Sequence, residues 1–169
     1  METIAMYWEP VIKTYGILAH NDRVLWSLTL RVGGLSHIPV LPPAEQPPQE
    51  LELVTARPLG DGRMRLHLLL SRPSPLPPWT ESIARECDDI QRIAPVAMVY
   101  LHGPHYGDRF GIADAALTAL AGEGVTPLVS ACAGASLHFV VRQEMAEAAH
   151  RALASAFVVP SALNRSISK

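Results

Sequence analysis

The chain has 169 residues, 49% of them hydrophobic and 18% charged, with a formal net charge of −2. That length and apolar content suit one domain, or two small domains sharing a core surface. The charge balance excludes a sequence-wide bias toward nucleic acid or anionic membrane, and no apolar run approaches the roughly 20 residues that span a bilayer.

The N-terminal METIAMYWEP lacks the basic start and apolar stretch of a signal peptide. Cys87 and Cys132 lie far apart and form no motif. The expected compartment is the reducing cytoplasm.

Residues 1–10 read as a lead-in. Val11–Ala19 reads as a strand, Asn21-Asp22 as a turn, and Val24–Val32 as a second strand. In that second strand Val24, Trp26, Leu28, Leu30 and Val32 give one dry face, alternating with Leu25, Ser27, Thr29 and Arg31. Ten of the fifteen prolines fall between Pro39 and Pro78, so residues 33–49 are expected as an extended loop. Leu51–Arg57 and Arg63–Ser71 form a hairpin about Gly60-Asp61-Gly62. Met64, Leu66, Leu68 and Leu70 are expected inward there, with Arg63, Arg65 and His67 outward. An extended linker, SRPSPLPP, follows. Thr80 fits the cap of a helix with Ile83, Cys87 and Ile90 on one face, closed by a short strand over Ile90–Ile93.

Residues 96–157 are the most legible part. Val96–Leu101 reads as a buried strand and Gly103, Pro104, Gly107 and Gly111 as a loop. Ile112, Ala116 and Leu120 recur at a helical period, with Gly122 and Gly124 as the stop. Leu128–Cys132 and Leu137–Val141 are strands joined by Ala133-Gly134-Ala135. Met145, Ala149, Ala152, Leu153, Ala156 and Phe157 give a last helix one apolar face.

This β-α-β-β-α order points to the split-βαβ, ferredoxin-like class. In detail, GDRFGIADAALTALAGEGV, a short strand-turn-strand and MAEAAHRALASAF resemble the second ACT domain of aspartokinase regulatory regions. The features that carry this are the strand ending in Gly103, Arg109-Phe110-Gly111-Ile112 opening the helix, Gly124-Val125 closing it, and a final helix ending on Leu and Phe. Residues 24–94 resemble the same order with the first helix replaced by a proline-rich loop. The resemblance implies an α+β chain of ferredoxin-like βαββαβ ACT fold, with antiparallel sheets covered by helices. It implies two tandem units, a degenerate one over 11–94 and a second over 95–158. The strand of residues 11–19 is expected to pair into the second unit.

The candidate site is the loop 103–111, where a strand ends, glycines let backbone approach a ligand and a helix N-terminus offers free amides. His105, Gly107, Asp108, Arg109, Phe110, Gly111 and Ile112 belong to it. Asp108 suits an amino group and Arg109 a carboxylate or a partner chain. By resemblance, the second wall is Val125, Thr126, Pro127, Leu128 and Ser130, often reached across a subunit interface. The alternative is that the glycines serve only the turn and Asp108 and Arg109 are solvated. The sequence departs from the aspartokinase pattern at Thr126-Pro127, where Asn is usual after Gly-Val. Proline has no amide to offer a ligand, and threonine lacks the paired donor and acceptor of asparagine.

His102, His105, Cys132 and His138 lack the paired spacing of a zinc motif and are expected as ordinary strand-end or sheet-face residues. No metal and no cofactor are expected. No G-x-S-x-G, P-loop or H-E-x-x-H occurs, and no kinase half is present, so no catalytic residue is assigned. The expected function is a regulatory module that binds an amino acid of the lysine or threonine class. It would act through ligand-linked rearrangement of a homodimer on a partner enzyme. A second expectation is an ACT-fold scaffold that has lost its ligand. A third is an enzyme using the His102 and His105 corner.

Overall fold

A computed structural model describes residues 12–31, 33, 51–71, 87–104, 106 and 110–159. Its strands are β1 (Gly16–Arg31), β2 (Leu51–Gly60), β3 (Arg63–Leu70), β4 (Cys87–His102), β5 (Val129–Ala133) and β6 (Ser136–Arg142). Its helices are α1 (Ile112–Gly122) and α2 (Ala146–Ala156), the latter preceded by a single 3₁₀ turn at Gln143–Met145. The chain divides into two compact units, one of Met1–His20 with Ala97–Lys169 and the other of Asn21–Val96.

In the unit of Met1–His20 and Ala97–Lys169, β1, β4, β6 and β5 lie side by side in that order. Val99 and Leu101 of β4 and Leu137, Phe139 and Val141 of β6 alternate onto one sheet face. Both helices cover that face. α1 contributes Ile112, Ala116 and Leu120, and α2 contributes Ala146, Ala149, Ala152 and Leu153, with Phe157 just beyond. The alanines on α2 let its backbone lie close to the sheet, and the larger Leu153 and Phe157 fill its far end.

The end of α1 is a Schellman motif. Gly124 sits at φ +70°, its amide bonds the Ala121 carbonyl (3.0 Å), and the Val125 amide bonds the Leu120 carbonyl (2.9 Å). Val125 and Leu120 are both buried, which supplies the hydrophobic contact this motif favours. The Gly-Val signature in the sequence is thus a helix stop in physical terms.

In the unit of Asn21–Val96, β2 and β3 form the expected hairpin. Gly60, Asp61 and Gly62 all take positive φ at its turn, and both β2–β3 and β1–β3 pair antiparallel. Leu28 and Leu30 of β1 meet Leu66 and Leu68 of β3, with Trp26, Met64 and Cys87 beside them.

Three expectations are corrected. Asn21-Asp22 is no turn: β1 runs unbroken from Gly16 to Arg31, with Asp22 accommodated at φ 59° inside it. Asp tolerates the left-handed region because its short polar side chain finds local bonds. The helix proposed through Cys87 and Ile90 is strand where it is described, since Cys87–Ile93 belong to the sixteen-residue β4. Its apolar spacing fits either period over so short a run, and strand pairing decided. The single dry face of Val24–Leu30 is also too simple, because Leu25, Ser27 and Thr29 are buried as well. Likewise Leu69 of β3 is buried and Arg65 and His67 are half-buried. The loop at 34–50, the linker at 72–86 and the end of the tail lie outside the described residues.

Candidate functional site

β4 ends at His102, and the turn residues that follow are pinned from three sides. The Tyr15 amide bonds the His102 carbonyl at 2.7 Å, and the Thr14 hydroxyl donates to that carbonyl, also at 2.7 Å. The Gly103 amide bonds the Ala135 carbonyl at 3.1 Å. The His102 imidazole Nδ1 lies 2.8 Å from Ser136 Oγ, and its ring lies 5.4 Å from that of Tyr15. Thr14 is fully buried, and its amide bonds the Val158 carbonyl (3.0 Å), while the Val158 amide bonds Ile12 (2.9 Å). The segment 12–15 therefore ties the end of β4 to the end of α2.

Gly103 has no room for a side chain. A Cβ there would run into the Tyr106 ring and stand 2.8 Å from the Lys13 carbonyl oxygen. Tyr106 is buried against the core, its ring 6.3 Å from that of Phe157. The glycine is thus required by close approach, and the tyrosine plugs the space it leaves. Sequence reading missed Thr14, Tyr106 and Ser136. Only the aromatic set between two glycines, Gly103-Pro104-His105-Tyr106-Gly107, carried a signal that could have found one of them.

Of the expected site residues, His105, Gly107, Asp108 and Arg109 lie outside the described residues. Phe110 is fully exposed. Gly111 caps α1 at φ +83° and, as a glycine, has no side chain to bond the first-turn amides. Asp114 also stands in that first turn, where its charge opposes an incoming anion. Ile112 faces the core at 4% exposure and presents no side chain to a ligand.

The second wall stands elsewhere in the chain. Gly103 touches Ala135, at the turn that follows β5, whereas Val125–Leu128 precede β5. Val129 to Ala133 is four residue steps, about 13 Å at roughly 3.3 Å each. The 103–111 loop start and the 125–128 segment therefore sit at opposite ends of the sheet. Within that segment Val125 is buried, Thr126 is exposed, and Pro127 and Leu128 are half-buried. The Val125 and Leu128 amides are committed to Leu120 and Val140, the latter at 2.7 Å. Ser130 is exposed on β5, paired with Phe139 of β6.

His102 and His138 have separate partners, Ser136 and Tyr100. His138 is half-buried on the other sheet face from Leu137 and Phe139, stacked on Tyr100 at 5.5 Å, and Cys132 is exposed. Among the described residues no three His, Cys, Asp or Glu side chains form a metal-binding group. No described helix is long and apolar enough to cross a membrane.

No family model matches the sequence, and no curated protein matches it. The architecture, an antiparallel sheet with few helices, is similar to that of aspartate kinase regulatory domains. The regulatory subunit from Thermus flavus superposes with a TM-score of 0.69 at 16% identity, over 86% of this chain and 99% of that one. The ligand-free regulatory subunit from Thermus thermophilus gives 0.65 at 15% identity, with the same coverage. Aspartokinase III from E. coli, in complex with lysine and aspartate in the T-state, gives 0.52 at 16% identity, over 88% of this chain and 34% of that one.

Proposed function

We propose that this chain is an amino-acid-binding regulatory module of aspartokinase type. It comprises two tandem ACT-like units, with the 11–19 segment contributed to the sheet of the second. The observation that carries the reading is the fold match to regulatory subunits of aspartate kinase, which covers 86% of this chain and 99% of those chains. The strand order β1-β4-β6-β5, with a helix after β4 and another after β6, supports the ferredoxin-like form of the second unit. The effector is a small amino acid of the lysine or threonine class. Its carboxylate would meet the α1 N-terminus and Arg109, and its amino group Asp108. Because Thr126 and Ser130 stand at the other sheet end, they can complete the site only from a second copy, so the working form is a homodimer. Effector binding then favours one dimer arrangement by its difference in affinity for the two, and a partner enzyme reads that difference.

A thermal-shift series with the twenty amino acids tests this. A ligand bound only by the native state must raise the melting temperature. A selective rise that Asp108→Ala removes supports the reading, and no rise with any amino acid at millimolar concentration overturns it. The second reading, a dimerising scaffold without a ligand, is favoured by the wall itself. The Val125 and Leu128 amides are used internally and Pro127 has none, so recognition there falls on Thr126 and Ser130. That reading expects a stable dimer unmoved by every amino acid.

A further inference from the structure

The face of β1, β2 and β3 opposite the Leu28, Leu30, Leu66 and Leu68 cluster is arranged in rows. Ser27, His67 and Thr55 are register partners, then Thr29, Arg65 and Arg57, and at the end Arg31 and Arg63. Ser27 and Thr29 are buried hydroxyls that serve their neighbours. Ser27 Oγ lies 2.7 Å from His67 Nδ1, and Arg65 Nε donates to Thr29 Oγ1 at 3.3 Å.

Like charges placed directly opposite on paired strands repel. The outer pair, Arg31 and Arg63, is relieved, because Asp61 binds Arg63 at 2.9 Å and also acts on Arg31. Asp88 of β4 adds to the effect on Arg63. Arg23 of β1 is likewise matched, by both carboxylate oxygens of Glu52 (2.7 and 3.0 Å). The inner pair is different. Arg57 and Arg65 are direct partners, and among the described residues neither forms an ion pair. His67 feels both: burial, Arg65 and Arg57 hold its imidazole below the ordinary value. Among the described residues, two guanidiniums and an imidazole are thus left together without a carboxylate, beside hydroxyls.

We infer that this face of Arg57, Arg65 and His67 is a binding site for a small dianion, the phosphate group or paired carboxylates of a metabolite. Two guanidiniums side by side offer forked donors to one such group. With Nδ1 engaged by Ser27, the second ring nitrogen of His67 remains to add a third donor. This site is built from residues of the Asn21–Val96 unit, and its proposal does not depend on the amino-acid reading.

The test uses the full chain with inorganic phosphate, with malonate, and with chloride at matched ionic strength. Melting temperature and the His67 imidazole titration, followed by NMR, are read together. Phosphate or malonate is expected to raise the melting temperature above the chloride control and to raise the His67 pKa, since an adjacent anion favours imidazolium. The stronger of the two names the ligand chemistry. Arg57→Gln and Arg65→Gln should each weaken the response about tenfold or more. Arg57→Gln should also be at least as stable as the parent in chloride, because it removes an opposed like charge. A parent response no greater than chloride, or a response in both variants as large as the parent's, overturns the proposal. A null amino-acid screen would leave it standing.

Discussion

Gly103 and His138 show how much one residue can carry. At Gly103 an added methyl group meets the Tyr106 ring and the Lys13 backbone at once, and backbone cannot swing aside as a flexible side chain can. Gly103→Ala should cost about 1–3 kcal/mol, the usual range for overpacking, measured by urea denaturation. Truncating the ring as well, in Gly103→Ala with Tyr106→Leu, should lose less than the two single changes added together, because they share one space. His138 is held below the ordinary imidazole pKa of 6.5 by burial beside Tyr100. The unfolded chain then takes up a proton at a higher pH than the native chain does. Stability is complete above 6.5, falls as the pH drops through that value, and levels off below the native pKa. His67 is shifted in the same direction and adds to the loss. His138→Phe keeps a ring against Tyr100 and should shrink the difference in melting temperature between about pH 7.5 and about pH 5.5. An unchanged difference would mean that the His138 proton is not linked to folding.

At the scale of the element, α1 and its stop were legible because every local signal agreed. Ile112, Ala116 and Leu120 share one face, and Gly124 stands where a left-handed residue is needed. The two glycines at that stop do different work. Gly122 is the last helical residue with open space around it, whereas Gly124 sits at φ +70°. Gly122→Ala should stabilise by up to about 1 kcal/mol, and Gly124→Ala should cost about 1–2 kcal/mol. Chemical denaturation of the pair checks both signs. The hairpin of β2 and β3 was equally plain from Gly60-Asp61-Gly62. The length of β1 was not, because Asn21-Asp22 is turn chemistry by composition, and only pairing with neighbouring strands holds the chain extended through it. Cys87–Ile90 misled for a related reason: four residues with two apolar positions satisfy a helical and an extended period equally well. Ser27 and Thr29 were assigned to solvent by alternation, yet they are buried, and their bonds to His67 and Arg65 exist only in the tertiary structure.

For the whole molecule, the coarse architecture, an antiparallel sheet with few helices, could be read from the sequence, while the arrangement of the candidate site could not. The loop after β4 announced itself through its glycines, but its anchor at Thr14 lies 88 residues away in sequence from the His102 carbonyl it binds. No periodic pattern encodes that meeting. Nor does the sequence say that Gly103 and residues 125–128 occupy opposite ends of one sheet. That separation makes a prediction about assembly. If an effector touches the loop of one copy and Thr126 or Ser130 of another, binding and dimerisation are linked, and each must strengthen the other by the same factor. Calorimetric titration with the effector found by thermal shift should give tighter binding at higher protein concentration. Sedimentation should show a tighter dimer when that effector is present. Thr126→Glu would place a negative charge beside the ligand's carboxylate from the partner copy. It should weaken the effector while leaving the ligand-free monomer folded, since Thr126 is exposed. Equal affinity in dilute monomer and concentrated dimer would confine the ligand to the loop of a single chain, and the 125–130 segment would then serve only to stop α1 and start β5.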